Sequence, residues 1–327
     1  MCNNSVFCQI VPPFLSDKEV KELDVQFRER RTIKSNLEAM PAVAFLGSIK
    51  AKRFIYDCTN TTFQQLKLVR KEAGPKVKDK SINTAYNYAG VIRTYFKKNL
   101  KFNSFDDKGS DMIFNVHYGK NYNNAFWDGD EMTFGDGDGK SFLSFVNSLD
   151  VIGHELGHGV IQFTANLDYE KQPGALNEHF ADVFGTAIKQ NALKQDAKKA
   201  DWLIGNTIVG PNFPGKAIRS MRDPGTVFDG DPQPNHMDNF FGGSDDHFGV
   251  HINSGIPNRV FYLASMEFTT QKATGIWFEA LKQLKYNANF KAFKKAVIAS
   301  TTNAEKSKSV GKGSVSKIEG AFKSVGL

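Results

Sequence analysis

The chain has 327 residues, 40% of them hydrophobic and 24% charged, which supports a large core, suits two domains better than one and excludes a disordered or fibrous protein. Its 42 Lys and Arg against 35 Asp and Glu leave +7, but the surplus lysines between Lys282 and Lys312 are scattered without interleaved aromatics, a solvated cationic face rather than a nucleic-acid surface. Cys2, Cys8 and Cys58 are too few for a disulfide framework, and no stretch is long and apolar enough to cross a membrane.

Residues 1 to about 48 read as a small separate unit. Its first residues lack the basic start of a signal peptide, so synthesis in the cytoplasm is expected. Gln9 to Leu15 is extended and stiffened by Pro12 and Pro13. Ser16-Asp-Lys-Glu19 is a capping box that opens a charged amphipathic helix to about Arg31, and Pro41 with the small residues after it marks a cleavable join.

A β-rich region follows. Arg53 to Asp57 and Met112 to Tyr118 alternate as strands, and Ile82 to Leu100 carries an apolar face at helical spacing (Ala85, Tyr88, Ala89, Ile92, Tyr95, Phe96). Asn123 to Phe134 reads as a hairpin turning at Asp128-Gly129, with an edge that could take an extended peptide as an added strand. After the Gly135–Gly139 loop a helix runs from about Leu149 to Thr164. The remainder is mainly helical: about 175 to 190, 255 to 268, 275 to 286, 290 to 301 and 314 to 324. The boundaries drawn are 1–48, 49–166 including the central helix, and 167–327, a two-domain α+β chain.

The central helix holds His154-Glu155-Leu-Gly-His158. Four residues are slightly more than one turn, so the two imidazoles lie about 6 Å apart on one face and can grip one zinc ion. Glu155 lies beside them, placed to act as a base next to a Lewis acid, which is a hydrolase design. The competing reading, a core histidine pair, would bury two imidazoles and a carboxylate in an apolar run at a high cost unless something satisfies them. A helical pair supplies only half a tetrahedral site. Glu178 and Asp182 in Asn177-Glu-His-Phe-Ala-Asp182 are four apart and face one way, so one carboxylate can bind the metal while the other accepts the remaining N–H of a ligating histidine.

With Glu178 twenty positions after His158 inside Asn-Glu-x-x-x-Asp, the chain resembles the thermolysin-like (M4-type) zinc metallopeptidases. The resemblance runs from about residue 53 to the end through Tyr122–Trp127, Arg219–Pro224, Val250–Ile256 and Ser316–Phe322. It implies a two-domain zincin, with a β-rich N-terminal domain and a mainly helical C-terminal domain flanking the zinc helix. It also implies one catalytic zinc on His154, His158 and Glu178, with Asp182 and Asn177 supporting the ligands and Glu155 as general base. His251 and Tyr169 become oxyanion donors, and Asp246 orients His251. Asn124, Ala125, Trp127 and Arg219 become contacts to the substrate backbone. Phe142, Phe145, Val151, Ile204, Ile208 and Ile218 become the specificity pocket, giving an endopeptidase that cuts before bulky hydrophobic residues.

The short front segment with Pro-Pro-Phe-Leu resembles the protealysin-like branch, whose precursor piece is removed on maturation; a permanent N-terminal subdomain stays open as the alternative. Expected partners are protein or peptide substrates, the chain's own precursor segment and a possible protein inhibitor, with no nucleic acid or membrane, for a monomer secreted by a non-classical route or else cytoplasmic. Paired calcium ions are common in the family. Of those acids only Asp150 and Asp201 stand here beside Lys189, Leu203 and Asn206, so the double calcium site is expected to be lost. A zinc aminopeptidase, a binding module on the same fold, and a thiolate latch from Cys2 or Cys8 are the competing readings.

Overall fold

The computed structural model describes residues 8–16, 18, 21 and 50–327. Cys2 and nearly all of the expected front helix lie outside these residues. The front half builds a six-stranded mixed sheet from β1 (Cys8–Gln9), β2 (Arg53–Asp57), β3 (Lys67–Lys71), β4 (Met112–Val116), β5 (Ala125–Trp127) and β6 (Met132–Phe134), in the order β1-β5-β6-β4-β2-β3. β2 and β4 run parallel, which requires a crossover, and α1 (Lys80–Tyr95) lies within it. Asp79 caps α1 by accepting the Ile82 N–H, and Ile82, Ala85, Ala89, Ile92 and Tyr95 are buried. The helix widens into a π turn over Phe96–Leu100 and stops at Lys101, whose φ is 56°. The anticipated hairpin is β5–β6, pairing Trp127 with Met132; Asp128 fixes its turn by accepting the N–H groups of Asp130 and Glu131.

One expectation fails at the front. Only Cys8–Gln9 is strand, pairing antiparallel with β5 (Cys8 to Trp127, Gln9 to Phe126). Pro12 has no N–H to continue the ladder, and the chain turns instead, the Leu15 N–H donating to the Pro12 carbonyl at 2.9 Å.

Helix α2 (Leu149–Gln162) runs beneath β5, with the Trp127 indole donating to Gln162 Oε1 at 2.9 Å. Helix α3 (Lys171–Leu193) packs along it at close range. A Cβ on Gly185 would sit 2.4 Å from the Asp150 carbonyl, and one on Gly157 would sit 3.1 Å from the Ala181 Cα. Small residues at 153, 157, 181 and 185 thus let the backbones approach, so that the polar residues of both helices meet.

The back half adds a short ribbon, β7 (Leu203–Ile204) with β8 (Arg219–Ser220), then α4 (Asp245–Asn253), α5 (Gly255–Phe268), α6 (Thr270–Leu281), α7 (Phe290–Lys306) and α8 (Ser314–Lys323). α6 starts five residues earlier than expected, capped by Thr269, whose hydroxyl accepts the Lys272 N–H. Edge-to-face rings join these helices: Trp277 lies 5.3 Å from Phe261 and 6.1 Å from Phe293, and Phe293 lies 5.7 Å from Phe180. Among the described residues no helix is long and apolar enough to cross a membrane. The architecture is the expected α+β one, a sheet-rich front and a helical back with α2 between them.

Candidate metal centre and cleft

His154 and His158 project from α2 with ring centroids 4.6 Å apart, and their Nε2 atoms are 3.0 Å apart. Glu178 on α3 brings Oε2 to 3.5 Å from His154 Nε2 and Oε1 to 3.5 Å from His158 Nε2. All three side chains are fully buried. These separations match the edges of about 3.3 Å that bonds of about 2.0–2.1 Å make in a tetrahedral zinc site. The hydrogen bonds fit the ion too. Asp182 Oδ1 accepts from His154 Nδ1 and Asn177 Oδ1 from His158 Nδ1, each at 2.9 Å, so both Nε2 atoms are left with lone pairs that face one another. Two lone pairs at 3.0 Å repel unless a cation lies between them, and Glu178 Oε2 has no hydrogen-bond partner among the described residues. Asn177 is held by donating to the Leu167 carbonyl.

Glu155, also fully buried, has both carboxylate oxygens without a hydrogen bond among the described residues. Burial first and the Glu178 carboxylate second push its pKa well above the usual range; the nearby N–H groups of Trp127 and Ile10 oppose the rise without closing a hydrogen bond. Burial and then His154 push His158 well down. Burial would raise Asp182, but Arg219 and His154 outweigh it and hold the carboxyl far below the ordinary carboxylate range.

Arg219 was expected to face a substrate carbonyl, and it is also bound bidentately to Asp182, at 3.0 Å through Nε and 2.9 Å through Nη2. The β7–β8 ladder sets Arg219 opposite Ile204. On the far wall, His251 Nδ1 meets Asp246 Oδ1 at 2.5 Å, and Asp246 Oδ2 accepts the N–H groups of His251 and Ile252. Burial alone would lower the His251 pKa, but Asp246 and Glu178 carry it up to about 9. Asp246 reaches this position from a left-handed run, Asp246 to Gly249 at φ 51–80°, that interrupts α4. Tyr169 donates to Glu178 Oε1 at 2.5 Å and lies 3.3 Å from His251 Nε2.

The front strand lies against these groups. The Gln9 carbonyl accepts from His251 Nε2 at 2.8 Å, and the Ile10 carbonyl accepts from Arg219 Nη1 at 2.9 Å. The Ile10 N–H donates to the Ala125 carbonyl at 3.2 Å. Asn124 Oδ1 accepts the Val11 N–H at 3.0 Å while its Nδ2 donates to the Val11 carbonyl at 3.3 Å. Ile10 is fully buried and belongs to the same apolar cluster as Phe142, Phe145, Val151, Ile204, Ile208 and Ile218. Sequence reasoning makes this segment an extended piece of the precursor and names no contact for it. Cys8 packs with Tyr169 and Val250 and does not join the histidine–glutamate group.

At the outer end of α2, Lys189 Nζ donates to Asp150 Oδ2 (3.1 Å), Asp201 Oδ1 (3.2 Å), the Leu203 carbonyl (3.0 Å) and Asn206 Oδ1 (2.9 Å). The residues named for the calcium position meet here around an ammonium.

Comparison with known proteins agrees with this geometry. The family model for the thermolysin metallopeptidase catalytic domain matches residues 24–162, and the one for its alpha-helical domain matches residues 165–327. An extracellular metalloprotease of Pectobacterium carotovorum subsp. carotovorum is 44% identical over 259 residues, 76% of this chain and 75% of the relative. Protease PrtS of a Photorhabdus species is 44% identical over 258 residues, 75% of this chain and 70% of the relative. The solved precursor of protealysin, a metalloproteinase from Serratia proteamaculans, superposes with a TM-score of 0.84 at 38% identity, covering 98% of this chain and 99% of that one. Two helices that bring His154, His158 and Glu178 together, and matches along most of the chain, place this protein in the thermolysin family of metallopeptidases, as a zinc-dependent metalloendopeptidase.

Proposed function

We propose that the enzyme cleaves peptide bonds on the N-terminal side of bulky hydrophobic residues, with Glu155 as general base, and that the N-terminal segment holds it latent by lying where substrate lies. The residues that would hold zinc are His154, His158 and Glu178, and the ion when bound supplies Lewis acidity, lowering the pKa of water and polarising a carbonyl. Glu155 takes a proton from the attacking water and hands it to the leaving amine. His251, kept charged and aimed by Asp246, donates Nε2–H to the developing oxyanion, with the Tyr169 hydroxyl close by. Asn124 and the main chain at Ala125 and Trp127 hold the substrate backbone as an added strand on β5, and Arg219 binds the carbonyl of the residue after the scissile bond. Phe142, Phe145, Val151, Ile204, Ile208 and Ile218, all buried, form the pocket for that residue's side chain.

The observation that carries this reading is the hydrogen bonding of Gln9, Ile10 and Val11. Their main-chain groups already engage His251, Arg219, Ala125 and Asn124, and the buried Ile10 belongs to the same apolar cluster as the residues ascribed to the pocket. A precursor segment is consistent with the protealysin precursor as structural neighbour, and secretion with relatives named as extracellular. We place the protein outside the cell, as a monomer. The test is casein digestion with and without a chelator, alongside Glu155→Gln, with sequencing of the fragments. Loss of on the order of 10²–10⁴ in kcat is expected for the variant. Fragments beginning mainly with charged residues would refute the specificity.

A further inference from the structure

We infer that Trp277, His179 and Asn258 form a one-way relay of hydrogen bonds that holds Asp182 in the position from which it orients His154 towards the metal. This rests on the reading that His154 is a ligand. All the residues of the relay are fully buried. They come from separate helices: Trp277 from α6, His179 and Asp182 from α3, Asn258 from α5 and His154 from α2.

The direction of the relay is set at its far end. An indole N–H can only donate, and Trp277 Nε1 is 2.8 Å from His179 Nε2, so that nitrogen must accept. The proton of a neutral imidazole then sits on Nδ1, which lies 2.7 Å from Asn258 Oδ1 and donates to it. With its oxygen so engaged, the Asn258 amide turns its Nδ2 to Asp182 Oδ2 at 2.9 Å. Asp182 is now filled. Oδ2 accepts from Asn258 and Arg219 Nε, and Oδ1 from Arg219 Nη2 and His154 Nδ1. The carboxylate can only accept, so His154 is the Nδ1–H tautomer with its Nε2 lone pair towards His158 and Glu178, and the relay keeps that carboxylate in place.

The reverse arrangement is excluded link by link. A proton on His179 Nε2 would point at the indole N–H. Its bare Nδ1 would demand a donor from Asn258, whose oxygen would then face the Asp182 carboxylate. The indole donor at Nε2 leaves room for only one ring proton, so the buried ring is neutral. Trp277, His179 and Asn258 are therefore positioning residues, touching neither substrate nor metal.

The test measures zinc affinity on the full chain by chelator competition, with the melting temperature of the metal-free protein recorded in parallel. Trp277→Phe keeps the ring and deletes the one N–H; His179→Leu cuts the relay; His179→Gln preserves its polarity, since an amide can accept from the indole and donate to Asn258. Trp277→Phe and His179→Leu are expected to weaken zinc binding on the order of 10-fold, the lower end of what outer-shell partners of a metal ligand contribute, and His179→Gln to stay within about threefold. Should His179→Leu fail to fold, Trp277→Phe decides alone. Folded relay variants that bind zinc as tightly as the parent, losing only thermal stability, would overturn the inference, as would His179→Gln behaving like His179→Leu. A parent chain that takes up no zinc would instead indict the ligand assignment.

Discussion

Lys189 offers the sharpest test of what stabilises the zinc helix. Its ammonium is nearly buried, at 9% side-chain exposure, and it compensates Asp150 at 1% and Asp201 at 37%. Lys189→Met keeps the stem and removes the charge. Breaking a buried ion pair from one side typically costs about 3–5 kcal/mol. Two features pull the value to the low end: Asp201 is partly solvated, and Asp150 lies in the first turn of α2, where the helix dipole favours a carboxylate by roughly 0.5–1 kcal/mol. We take about 3 kcal/mol. With an unfolding entropy of about 2.1 cal/mol/K per residue, a chain of this length should lose roughly 4–5 °C in melting temperature. Calorimetry of the full chain measures it. Lys189→Glu instead gathers three carboxylates with the Leu203 carbonyl and Asn206 Oδ1, a set of oxygens suited to calcium. That variant should melt low without calcium and recover with about 1 mM of it, whereas the parent should shift by less than about 1 °C. A parent stabilised by several degrees in calcium, or a Lys189→Met chain as stable as the parent, would refute the reasoning.

Three other outcomes follow from the site and its surroundings. Ile10→Asp puts a carboxylate where an apolar side chain is fully buried, and should raise the activity of uncleaved full-length chain at least about 10-fold; a fluorogenic peptide read before any processing checks it, and unchanged latency in a folded variant counts against the cleft assignment. His251→Phe should lower kcat by about 10²–10³ with little change in KM, read from steady-state kinetics; a loss confined to KM would mean that His251 binds substrate without stabilising the oxyanion. His117 meets Asp136 at 2.6 Å and Asp79 at 3.0 Å, and the Asp136 hydrogen bond leads in carrying its pKa to about 9 despite burial. A folded-state pKa above the unfolded one gives stability that is complete below about pH 6.5 and disappears as pH rises through about 9, here limited to roughly 1 kcal/mol by solvent screening. Melting temperatures of the parent and His117→Gln should therefore differ at pH 6 and converge by about pH 10; curves that stay parallel would exclude the ion pairs.

The metal group could be read from the sequence because its logic is local. His154 and His158 are one turn apart, Glu178 and Asp182 are one turn apart, and the small residues around them leave room for the two helices to touch. The β5–β6 turn was equally plain at Asp128-Gly129. Lys67–Lys71 escaped notice because an edge strand of Lys-Leu-Val-Arg-Lys hides its alternation behind charges, and α4 because four left-handed residues erase its period. The contacts of Gln9 to Val11 are more than a hundred positions distant in sequence, and main-chain pairing leaves no mark on side-chain pattern. His179, Asn258 and Trp277 left only a faint signal, polar atoms inside apolar helices that must find partners somewhere.

The strand added at β5 is joined to the body by its own chain, so it competes at a fixed effective concentration. An intramolecular competitor at an effective concentration of about millimolar order wins over a substrate present at micromolar levels even when the two bind equally well. Cutting the tether changes no contact in the cleft and yet returns the segment to bulk dilution. On the proposed mode of latency, a single hydrolysed bond between the strand and the body would therefore release activity.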